Sequence, residues 1–308
     1  MFVTIAICTF NRAESLRRTL NSLTVMQVPT IDLEVIVVNN NCSDHTDATI
    51  EAFSKRLPIR REFEKEPGLS NARNRAVDAA KGDYIVWTDD DVIVKPGWLA
   101  GYGEAFRRHP EAAVFGGPIT PRYQTPVVSW VKEGEPVLGG PYAIRNFGDD
   151  PLPLSIADGR LPYGANFAVR TSEQRMFRYD PNLGPGPNTR RGGDEVDLIE
   201  RMLRTGVFGY WVPTAQVEHY IGHDRQTIQY LVRHFADRGE AEALLQRNHN
   251  ELRWFGVPRW MLRRLVEEWY RYHIHRLISP PIVWLQHLQG YAYTSGAVRH
   301  YWRSVRSG

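Results

Sequence analysis

The sequence predicts an α/β fold: an open, mainly parallel sheet flanked by helices, with a helical C-terminal extension. Strand and helix signals alternate through the first hundred residues, which is the order of elements in sheets built from strand–helix–strand units. Polar clusters follow three of the predicted strands, where the ligands of such sheets bind. After Glu218-His219 the pattern changes to amphipathic helices, which predicts the extension.

Four strands are expected in the first hundred residues. Residues 2–8 form a continuous β-rich run of the kind found in strands that are buried on both faces. Residues 33–38 and 83–88 have the same character, and residues 59–63 form a weaker third strand. Because segments with helical spacing separate these runs, we expect parallel strands joined by crossover helices.

Helices are expected between these strands. Leu16 and the leucines four and seven positions later share one face of the first helix. Ser43 or Asp44 is expected to cap the second helix, and Ser70 or Asn71 the third. These residue types are expected at helix starts because their side-chain oxygens accept hydrogen bonds from free amides of the first turn.

The ends of three predicted strands carry polar side chains. These clusters are Thr9-Phe10-Asn11-Arg12, Asn39-Asn40-Asn41 and Thr88-Asp89-Asp90-Asp91. The carboxyl ends of parallel strands lie at one edge of a sheet, so we expect the three loops to converge on one crevice.

The rest of the chain alternates irregular and helical segments. Residues 116–190 are rich in Pro and Gly, which indicates long loops and short strands. A helix is expected from about Asp194, followed by a strand over 207–212. Apolar residues at helical spacing over 228–235 and again over 262–269 predict two amphipathic helices.

Composition excludes several classes of protein. With 42% hydrophobic and 24% charged residues, the chain has the balance of a folded globular protein. The net charge of +3 argues against nucleic acid as a partner. Residues 225–308 carry 13 Arg, no Lys and 6 Asp or Glu, which favours peripheral contact with an anionic membrane or a phosphorylated lipid. The best candidate for a membrane span, residues 281–298, is interrupted by polar residues and glycines.

The location expected from the sequence is the cytoplasm, or the inner face of the cell membrane. Cys8 and Cys42 do not form a disulfide framework, which indicates a reducing compartment. The N-terminal residues lack the basic region and the cleavage site of a signal peptide.

Asp89-Asp90-Asp91 is the strongest candidate for a metal site. Three carboxylates directly after a buried strand raise one another's pKa. A divalent cation removes that cost, and hard oxygen ligands suit Mg²⁺ or Mn²⁺. Such an ion, beside a diphosphate, would neutralise charge on a leaving nucleotide. An acidic turn in solvent is the alternative interpretation.

Over residues 1–220 the chain resembles a family 2 glycosyltransferase of the GT-A fold. The matching segments stand in the expected order: Thr9-Phe10-Asn11-Arg12, residues 38–44, residues 68–74, the acidic triplet, Gly164-Ala165-Asn166, residues 193–198 and His219. The resemblance implies a nucleotide-sugar-binding half over 1–115 and an acceptor half over 116–220. Residues 221–308 then form a helical region rich in Arg and aromatic residues.

This resemblance implies an inverting transferase. It would move a sugar from a nucleotide-diphosphate sugar, a UDP-sugar by default, to a hydroxyl of a glycan or lipid-linked acceptor. The expected setting is the synthesis of a cell-surface polysaccharide or exopolysaccharide. Mn²⁺ or Mg²⁺ is the implied cofactor.

The resemblance also assigns site residues. The implied nucleotide-sugar-binding set is Thr9, Phe10, Asn11, Arg12, Asn39, Asn41, Gly68, Ser70, Arg73, Asp89 and Asp90. The implied metal ligands are Asp91, Asp89 and His219, and the implied segment under the acceptor and donor sugar is Gly164, Ala165 and Asn166. The family commonly has an aspartate at the position of Asn39, which accepts from the base. An Asn amide oxygen accepts as well, so the base stays open.

The general base is expected at the start of the helix at Asp194. Deprotonation of a sugar hydroxyl needs a carboxylate within hydrogen-bond reach. The family usually has Glu-Asp here with the second acid as the base, whereas this chain has Asp194-Glu195. Position favours Glu195 and residue type favours Asp194, and we take Glu195 as the base. Both acids also suit the positive end of a helix.

Other functions compete with this interpretation. A sugar-phosphate nucleotidyltransferase or a dinucleotide-dependent oxidoreductase needs a glycine-rich loop after the first strand, and residues 8–12 contain no glycine. A non-catalytic nucleotide-sugar or glycan-binding subunit stays open because the acid pair is reversed. The Arg, Trp and Tyr of residues 254–306 suit either a helix in a membrane interface or helical packing within the protein.

Overall fold

The protein forms two compact units. The computed structural model describes residues 1–28, 31–186, 192–245 and 252–306. Met1–Arg122 and Ala143–Tyr220 form one unit, here called the sheet unit. Tyr123–Tyr142 and Ile221–Gly308 form the other, here called the helical unit. The sequence predicts one domain over residues 1–220 and another over residues 221–308.

The segment Tyr123–Tyr142 departs from the prediction, which placed it in the acceptor half of the first domain. The Gln226 amide donates to the carbonyl of Gln124 at 2.9 Å, and the Tyr230 hydroxyl donates to the carbonyl of Pro141 at 3.0 Å. These bonds join residues about 90 to 100 positions apart, so they cannot be predicted from a local sequence pattern.

The sheet unit contains most of the strands. In chain order they are β1 (Phe2–Thr9), β2 (Asp32–Asn39), β3 (Ile59–Phe63), β4 (Tyr84–Asp89), β5 (Val92–Val94), β6 (Ala112–Gly116), β7 (Ile119–Tyr123), β8 (Asn166–Arg170), β9 (Phe208–Trp211) and β10 (Val217–Ile221). The four strands predicted in the first hundred residues are confirmed to within one residue at each end.

Seven of these strands form one sheet, in the order β3-β2-β1-β4-β8-β6-β9, and β5-β10-β7 form a second, smaller sheet. The first four are parallel, whereas β8 is antiparallel to both β4 and β6. The predicted α/β class with a mainly parallel sheet is confirmed. In the register of the sheet, Thr9 lies beside Asn39 and Cys8 lies beside Asp89. The predicted convergence of the strand-end loops therefore holds.

Helices cover both faces of the large sheet. In chain order the helices of the protein are α1 (Ala13–Leu23), α2 (Thr46–Glu51), α3 (Leu69–Ala79), α4 (Trp98–Arg108), α5 (Ser129–Glu133), α6 (Thr171–Met176), α7 (Asp194–Arg204), α8 (Ile228–Leu245), α9 (Arg259–Ile278) and α10 (Pro281–Arg306), with a 3-10 turn at Glu135–Val137. Val3 and Ile5 of β1 pack in a core with residues of α1 and α4, while Ala6 packs in a second core with residues of α3 and α7. This alternation follows from the period of two along a strand.

The starts of α2 and α3 differ in how well the sequence predicts them. The N-cap of α2 is His45 rather than Ser43 or Asp44. Asp44, one residue earlier, nevertheless accepts from the amide of Thr46 at 3.1 Å and so satisfies a free amide at the helix start. The caps predicted for α3 are wrong, because Ser70 and Asn71 lie inside its first turn. Gly68 precedes the helix with a φ of +133°, a conformation that favours glycine.

The helical unit contains α5, α8, α9, α10 and a short hairpin of β11 (Arg253–Trp254) and β12 (Val257–Pro258). Two glycines allow α8 and α10 to approach closely. A Cβ on Gly239 would lie 1.9 Å from the carbonyl oxygen of Tyr293, and a Cβ on Gly296 would lie 1.9 Å from that of Ala236. Among the described residues, none of the helices is long and apolar enough to cross a membrane.

Candidate active site

The loops after β1 and β4 are joined by charged hydrogen bonds. The Thr9 hydroxyl donates to Asp90 at 2.7 Å. The Arg12 guanidinium donates to Asp90 at 2.6 Å and to Asp91 at 2.7 Å, bridging the two carboxylates. Both aspartates are buried, while 40% of the Arg12 side chain is exposed. The predicted nucleotide loop and the acidic triplet therefore form one cluster, here called the triplet cluster: Thr9, Arg12, Asp89, Asp90, Asp91 and His219.

Burial sets the electrostatics of this cluster. It raises the pKa of Asp90 to about 7, against the attraction of Arg12, and the negative charge of Asp91 adds to the rise. Burial by itself would lower the pKa of Arg12, but the charges of Asp90 and Asp91 raise it above its ordinary value. A nearby positive charge therefore stabilises the ionised carboxylates of the cluster, and Arg12 supplies it in this structure.

His219 reaches the triplet cluster from β10. That strand pairs with β5 so that His219 lies beside Val92, the residue after the triplet. Its Nε2 lies 3.2 Å from the Oδ2 of Asp91, and both side chains are buried. Two ligands in neighbouring positions of an octahedral Mg²⁺ site, each at about 2.1 Å from the ion, lie about 3.0 Å apart. The positions of Asp91 and His219 therefore fit a shared divalent ion.

The described residues contain no group of three or more His, Cys, Asp or Glu side chains already arranged to hold a metal. Mg²⁺ in proteins commonly has only one or two carboxylate ligands and completes its coordination with water and substrate phosphates. Asp91 and His219 would be its protein ligands, and Asp89, whose side chain is 37% exposed, stands beside them in the triplet.

A second acidic cluster lies at the start of α7. Asp194 is buried and accepts from the Arg73 guanidinium at 2.5 Å. The Oε1 of Glu195 accepts from the amide of Gly164 at 3.2 Å, and its Oε2 lies 3.6 Å from Arg73. We call Arg73, Gly164, Asp194 and Glu195 the base cluster. It joins α3, the loop before β8, and α7.

The two acids of this pair have different environments. Burial raises the pKa of Glu195 to about 7, and the negative charge of Asp194 adds to the rise, while Arg73 opposes it. A carboxyl group with such a pKa can take up and release a proton near neutral pH. Asp194 is instead held in a short ion pair with Arg73. The geometry therefore favours Glu195 as the group that exchanges a proton and Asp194 as the partner of Arg73.

Arg73 lies between the two clusters rather than facing solvent as a phosphate ligand. Only 4% of its side chain is exposed, and its Nη2 lies 3.7 Å from Asp89. Burial by itself would lower its pKa, but the charge of Asp194, with those of Glu195 and Asp89, raises the pKa well above the ordinary value. Gly164 makes room for this side chain, because a Cβ there would lie 2.3 Å from the Nη2 of Arg73.

Two asparagines predicted to line the nucleotide instead bond to the loop after β2 and to the start of α2. The Oδ1 of Asn39 accepts from the amide of Cys42 at 2.7 Å, and its Nδ2 donates to Asp47 at 2.6 Å. The Oδ1 of Asn11 accepts from the amide of Ser43 at 2.7 Å. In this structure the Asn39 amide is buried and engaged with the loop rather than presented to a base.

Asn166 also departs from the prediction. It is fully buried, and its Oδ1 accepts from Trp98 and from Tyr102, both at 2.8 Å. Its Nδ2 donates to the carbonyls of Pro118 and Ala215. All of its hydrogen-bonding groups are used within the interior, so it supports the segment instead of facing a sugar. Ala165 is buried as well.

The remaining predicted residues are divided between surface and interior. Phe10, which follows β1, is 54% exposed. Asn41, which follows β2, is exposed as well. The Ser70 hydroxyl is buried and donates to the carbonyl of Leu183 at 2.7 Å. Gly68 donates its amide to the Oδ1 of Asn40 at 2.9 Å.

Sequence reasoning missed two residues that support the site. Asn40 joins the loop after β2 to Gly68, and its Nδ2 also donates to two carbonyls of the loop before α3. The ring of Tyr179 lies under the Arg73 guanidinium, 5.4 Å from ring centre to carbon, and is buried. Asn40 stands within a polar cluster that the sequence does mark, whereas Tyr179 lies in an irregular segment with no signal.

Comparisons with known proteins identify the family of the chain. The chain matches the family described as "Glycosyl transferase family 2" over residues 4–164, more than half of its length. The succinoglycan biosynthesis protein ExoM of Rhizobium meliloti (strain 1021) is 26% identical over 251 residues, which cover 80% of this chain and 75% of ExoM.

Solved structures share the fold. TarS 1–349 of S. aureus aligns with a TM-score of 0.55 at 13% identity, over 97% of this chain and 91% of that one. The mannosyltransferase PcManGT from Pyrobaculum calidifontis, solved with GDP-Man and Mn²⁺, aligns with a TM-score of 0.53 at 17% identity, over 99% of this chain and 75% of that one. Together with the family match over more than half of the sequence, these observations show that the chain belongs to glycosyl transferase family 2 and has the GT-A fold.

Proposed function

We propose that this glycosyltransferase depends on a divalent metal and uses Glu195 as its general base. One observation carries the proposal: two acidic clusters lie on either side of Arg73, and they differ in chemistry. Each contains a carboxyl whose pKa is raised to about 7, Asp90 or Glu195. The first also has Asp91 and His219 at a separation that suits a shared ion, whereas the second has an acid pair beside a buried arginine. The first suits a nucleotide diphosphate and the second suits an acceptor hydroxyl.

The triplet cluster would receive the donor. Asp91 and His219 would hold the ion, and Asp89 would face the donor from the more exposed position in the triplet. When bound, Mn²⁺ or Mg²⁺ supplies positive charge to the diphosphate as it leaves. Arg12, which is partly exposed and already pairs with Asp90 and Asp91, would turn toward the phosphates.

The base cluster would activate the acceptor. In its ionised form Glu195 accepts the proton of an acceptor hydroxyl, and that oxygen forms a bond to the anomeric carbon of the sugar. The bond from the anomeric carbon to the phosphate oxygen breaks on the opposite face, and the nucleoside diphosphate leaves with the electron pair. A single displacement of this kind inverts the anomeric centre and needs no nucleophile from the protein. Arg73 would hold Asp194 and orient Glu195.

For the substrates, we propose a UDP-sugar donor and a growing cell-surface or extracellular glycan as the acceptor, with synthesis at the cytoplasmic face of an anionic membrane. The setting is supported by the likeness to a succinoglycan biosynthesis protein. TarS has been solved with UDP-GlcNAc and PcManGT with GDP-Man, so a GDP-sugar is the competing donor.

Release of nucleoside diphosphate from UDP-, GDP- and dTDP-sugars, with Mn²⁺ and with EDTA, tests the proposal. We expect release from one class of donor, its loss in EDTA and its return with Mn²⁺. Asp91→Ala should weaken Mn²⁺ affinity by at least about tenfold. Asp158→Ala, which removes an exposed carboxylate paired with Arg160, is the control and should not.

Two results would contradict the proposal. Binding of a nucleotide sugar without release from any donor would identify a non-catalytic subunit. Unchanged Mn²⁺ affinity in Asp91→Ala would remove the metal assignment while leaving the transferase itself in place.

A further inference from the structure

The hairpin of the helical unit exposes two aromatic side chains at its tip. Trp254 ends β11 and is 54% exposed, and Phe255 in the turn is 86% exposed. The turn residue Phe255 has a φ of +50° and is followed by Gly256 at +79°. Exposed aromatic rings on a tight turn do not contribute to a core, so their exposure indicates a binding surface.

The exposed face of α9 carries more apolar surface. Val266, Tyr270 and Leu277 are 66%, 60% and 85% exposed. Their spacing of four and seven residues places them on one face of the helix. Trp269 and Ile278 are exposed on the same helix. Monomeric proteins rarely leave such a row of large apolar side chains in water without a binding role.

Arginines surround these apolar residues. The helix carries Arg259, Arg263, Arg264, Arg271 and Arg276, all exposed. Its two acids are already paired: Glu267 with Arg263 at 2.7 Å, and Glu268 with His287 of α10 at 2.8 Å. At 3.6 residues per turn, Arg259 and Arg263 share the face of the apolar row, whereas Arg264 and Arg271 lie further round the exposed side of the helix. The exposed side of α9 therefore carries both apolar and positively charged side chains.

Arg259 joins the hairpin to the helix. Its guanidinium lies over the ring of Trp254, 4.3 Å from the ring centre. The hairpin tip and the exposed face of α9 thus form one continuous surface within the helical unit, which we call the aromatic–arginine surface: Trp254, Phe255 and the exposed side chains of α9.

We propose that the aromatic–arginine surface docks on an anionic lipid bilayer, with Trp254 and Phe255 at the level of the headgroups and the arginines of α9 on lipid phosphates. Aromatic rings favour the boundary between headgroups and acyl chains. Each arginine near an anionic surface strengthens binding about fivefold. This inference rests on the membrane setting of the proposed function. The aromatic–arginine surface is the part of the chain that would bind that membrane.

Charge argues for lipid over a second copy of this chain. In a two-fold symmetric pair the same patch meets itself, so the arginines of one α9 would face those of the other. Like charges brought together and stripped of water oppose association, and the acids of this helix are already engaged. An anionic bilayer offers instead the complementary charge.

Flotation of the full chain with vesicles tests the proposal. Binding is expected to vesicles of phosphatidylglycerol and phosphatidylcholine, and not to phosphatidylcholine alone. The double variant Trp254→Ala/Phe255→Ala should weaken binding by at least about tenfold, and Arg264→Gln/Arg271→Gln by roughly twentyfold or more. Arg107→Gln/Arg108→Gln removes the same charge from exposed positions of α4 in the sheet unit and should change binding less than about twofold.

Three further measurements separate the outcomes. Circular dichroism checks that each variant is folded, and release of nucleoside diphosphate without vesicles should match the unsubstituted protein for all of them. Unchanged flotation of both test variants would overturn the proposal while leaving the transferase intact. Dissociation of a dimer in sedimentation velocity by the aromatic variant, with no effect on flotation, would assign the surface to self-association and would also overturn it.

Discussion

The triplet cluster and the base cluster are both acidic, and each contains one arginine, but the two arginines are held differently. Arg12 bridges Asp90 and Asp91 with 40% of its side chain exposed. Arg73 binds Asp194 at 2.5 Å with only 4% exposed. An exposed arginine can leave its partners when another cation arrives, whereas a buried one cannot leave without stranding a charge.

Because of this difference, we expect the two clusters to have different roles in the reaction. Under the proposed function, the triplet cluster would exchange the charge of Arg12 for that of a metal ion with its diphosphate. In the base cluster Arg73 is buried against Asp194, and burial together with the charge of Asp194 raises the pKa of Glu195 against the attraction of Arg73.

Replacement of Glu195 is expected to have the largest effect. Glu195→Gln keeps the size of the side chain but removes its ability to take up a proton, so kcat should fall by about 10²- to 10⁴-fold. The nucleotide affinity should hold, because Glu195 belongs to the base cluster. Steady-state transfer assays and nucleotide titration measure the two quantities.

Glu200→Gln is the matched control for this variant. Glu200 lies on the same helix and pairs with Arg204 near the surface, so kcat should stay within about twofold. Equal losses in the two variants would show that α7 as a whole, and not the Glu195 carboxyl, limits the rate.

Breaking the buried ion pair should cost stability. Asp194→Asn leaves Arg73 with its nearest carboxylate oxygens at 3.6 and 3.7 Å, so the free energy of unfolding should fall by about 3–5 kcal/mol. Asp197→Asn, which removes a surface pair with Arg201 on the same helix, should lower it by about 0.5 kcal/mol or less. Urea denaturation measures both.

The same assay compares the two arginines directly. Arg12→Gln should lose stability in EDTA and recover part of it with Mn²⁺, since a bound ion stabilises the folded state by mass action. Asp194→Asn should gain no more from Mn²⁺ than the unsubstituted protein does. If Mn²⁺ raises the free energy of unfolding of neither variant, or of both equally, the proposed difference between the clusters is contradicted.

Gly164→Ala should have an intermediate effect. The new Cβ would lie 2.3 Å from the Nη2 of Arg73, and that buried guanidinium has little room to move. We expect a loss of about 1–3 kcal/mol in the free energy of unfolding, together with a lower kcat. Gly97→Ala is the control, because no heavy atom lies within 4 Å of its added Cβ.

The pH dependence should be the smallest effect. With a pKa of about 7, Glu195 is protonated below neutrality and cannot act as a base there. Activity should therefore rise as the pH rises, with log(kcat/KM) falling by about one unit per pH unit below the pKa. The residual activity of Glu195→Gln should lack this limb. A limb that persists in that variant would assign the titration to another group, such as Asp90.

Much of the fold could be predicted because its signals are local. The strands β1 to β4 are continuous apolar runs that end in polar residues, and the helices between them have regular apolar spacing. The start of α3 could not be predicted in this way. Ser70 has the residue type of a cap, but its hydroxyl bonds to Leu183, more than a hundred positions away in sequence.

In the candidate site, too, local features could be predicted and long-range contacts could not. Its acidic triplet and its acid pair are visible as residue types at predicted strand and helix ends. Their roles within the fold are not visible, because they depend on distant partners. Asn39 and Asn166 stand at motif positions, yet the fold turns both amides inward.

The sequence was enough to predict the α/β class, the edge of the sheet that carries the acids, and the identity of those acids. The buried position of Arg73 between two clusters, and the rise in the pKa of Glu195 to about 7, become visible only in the folded protein. The physical reason is that burial and pairing across more than a hundred residues set the charge state of each group. No local pattern contains that information.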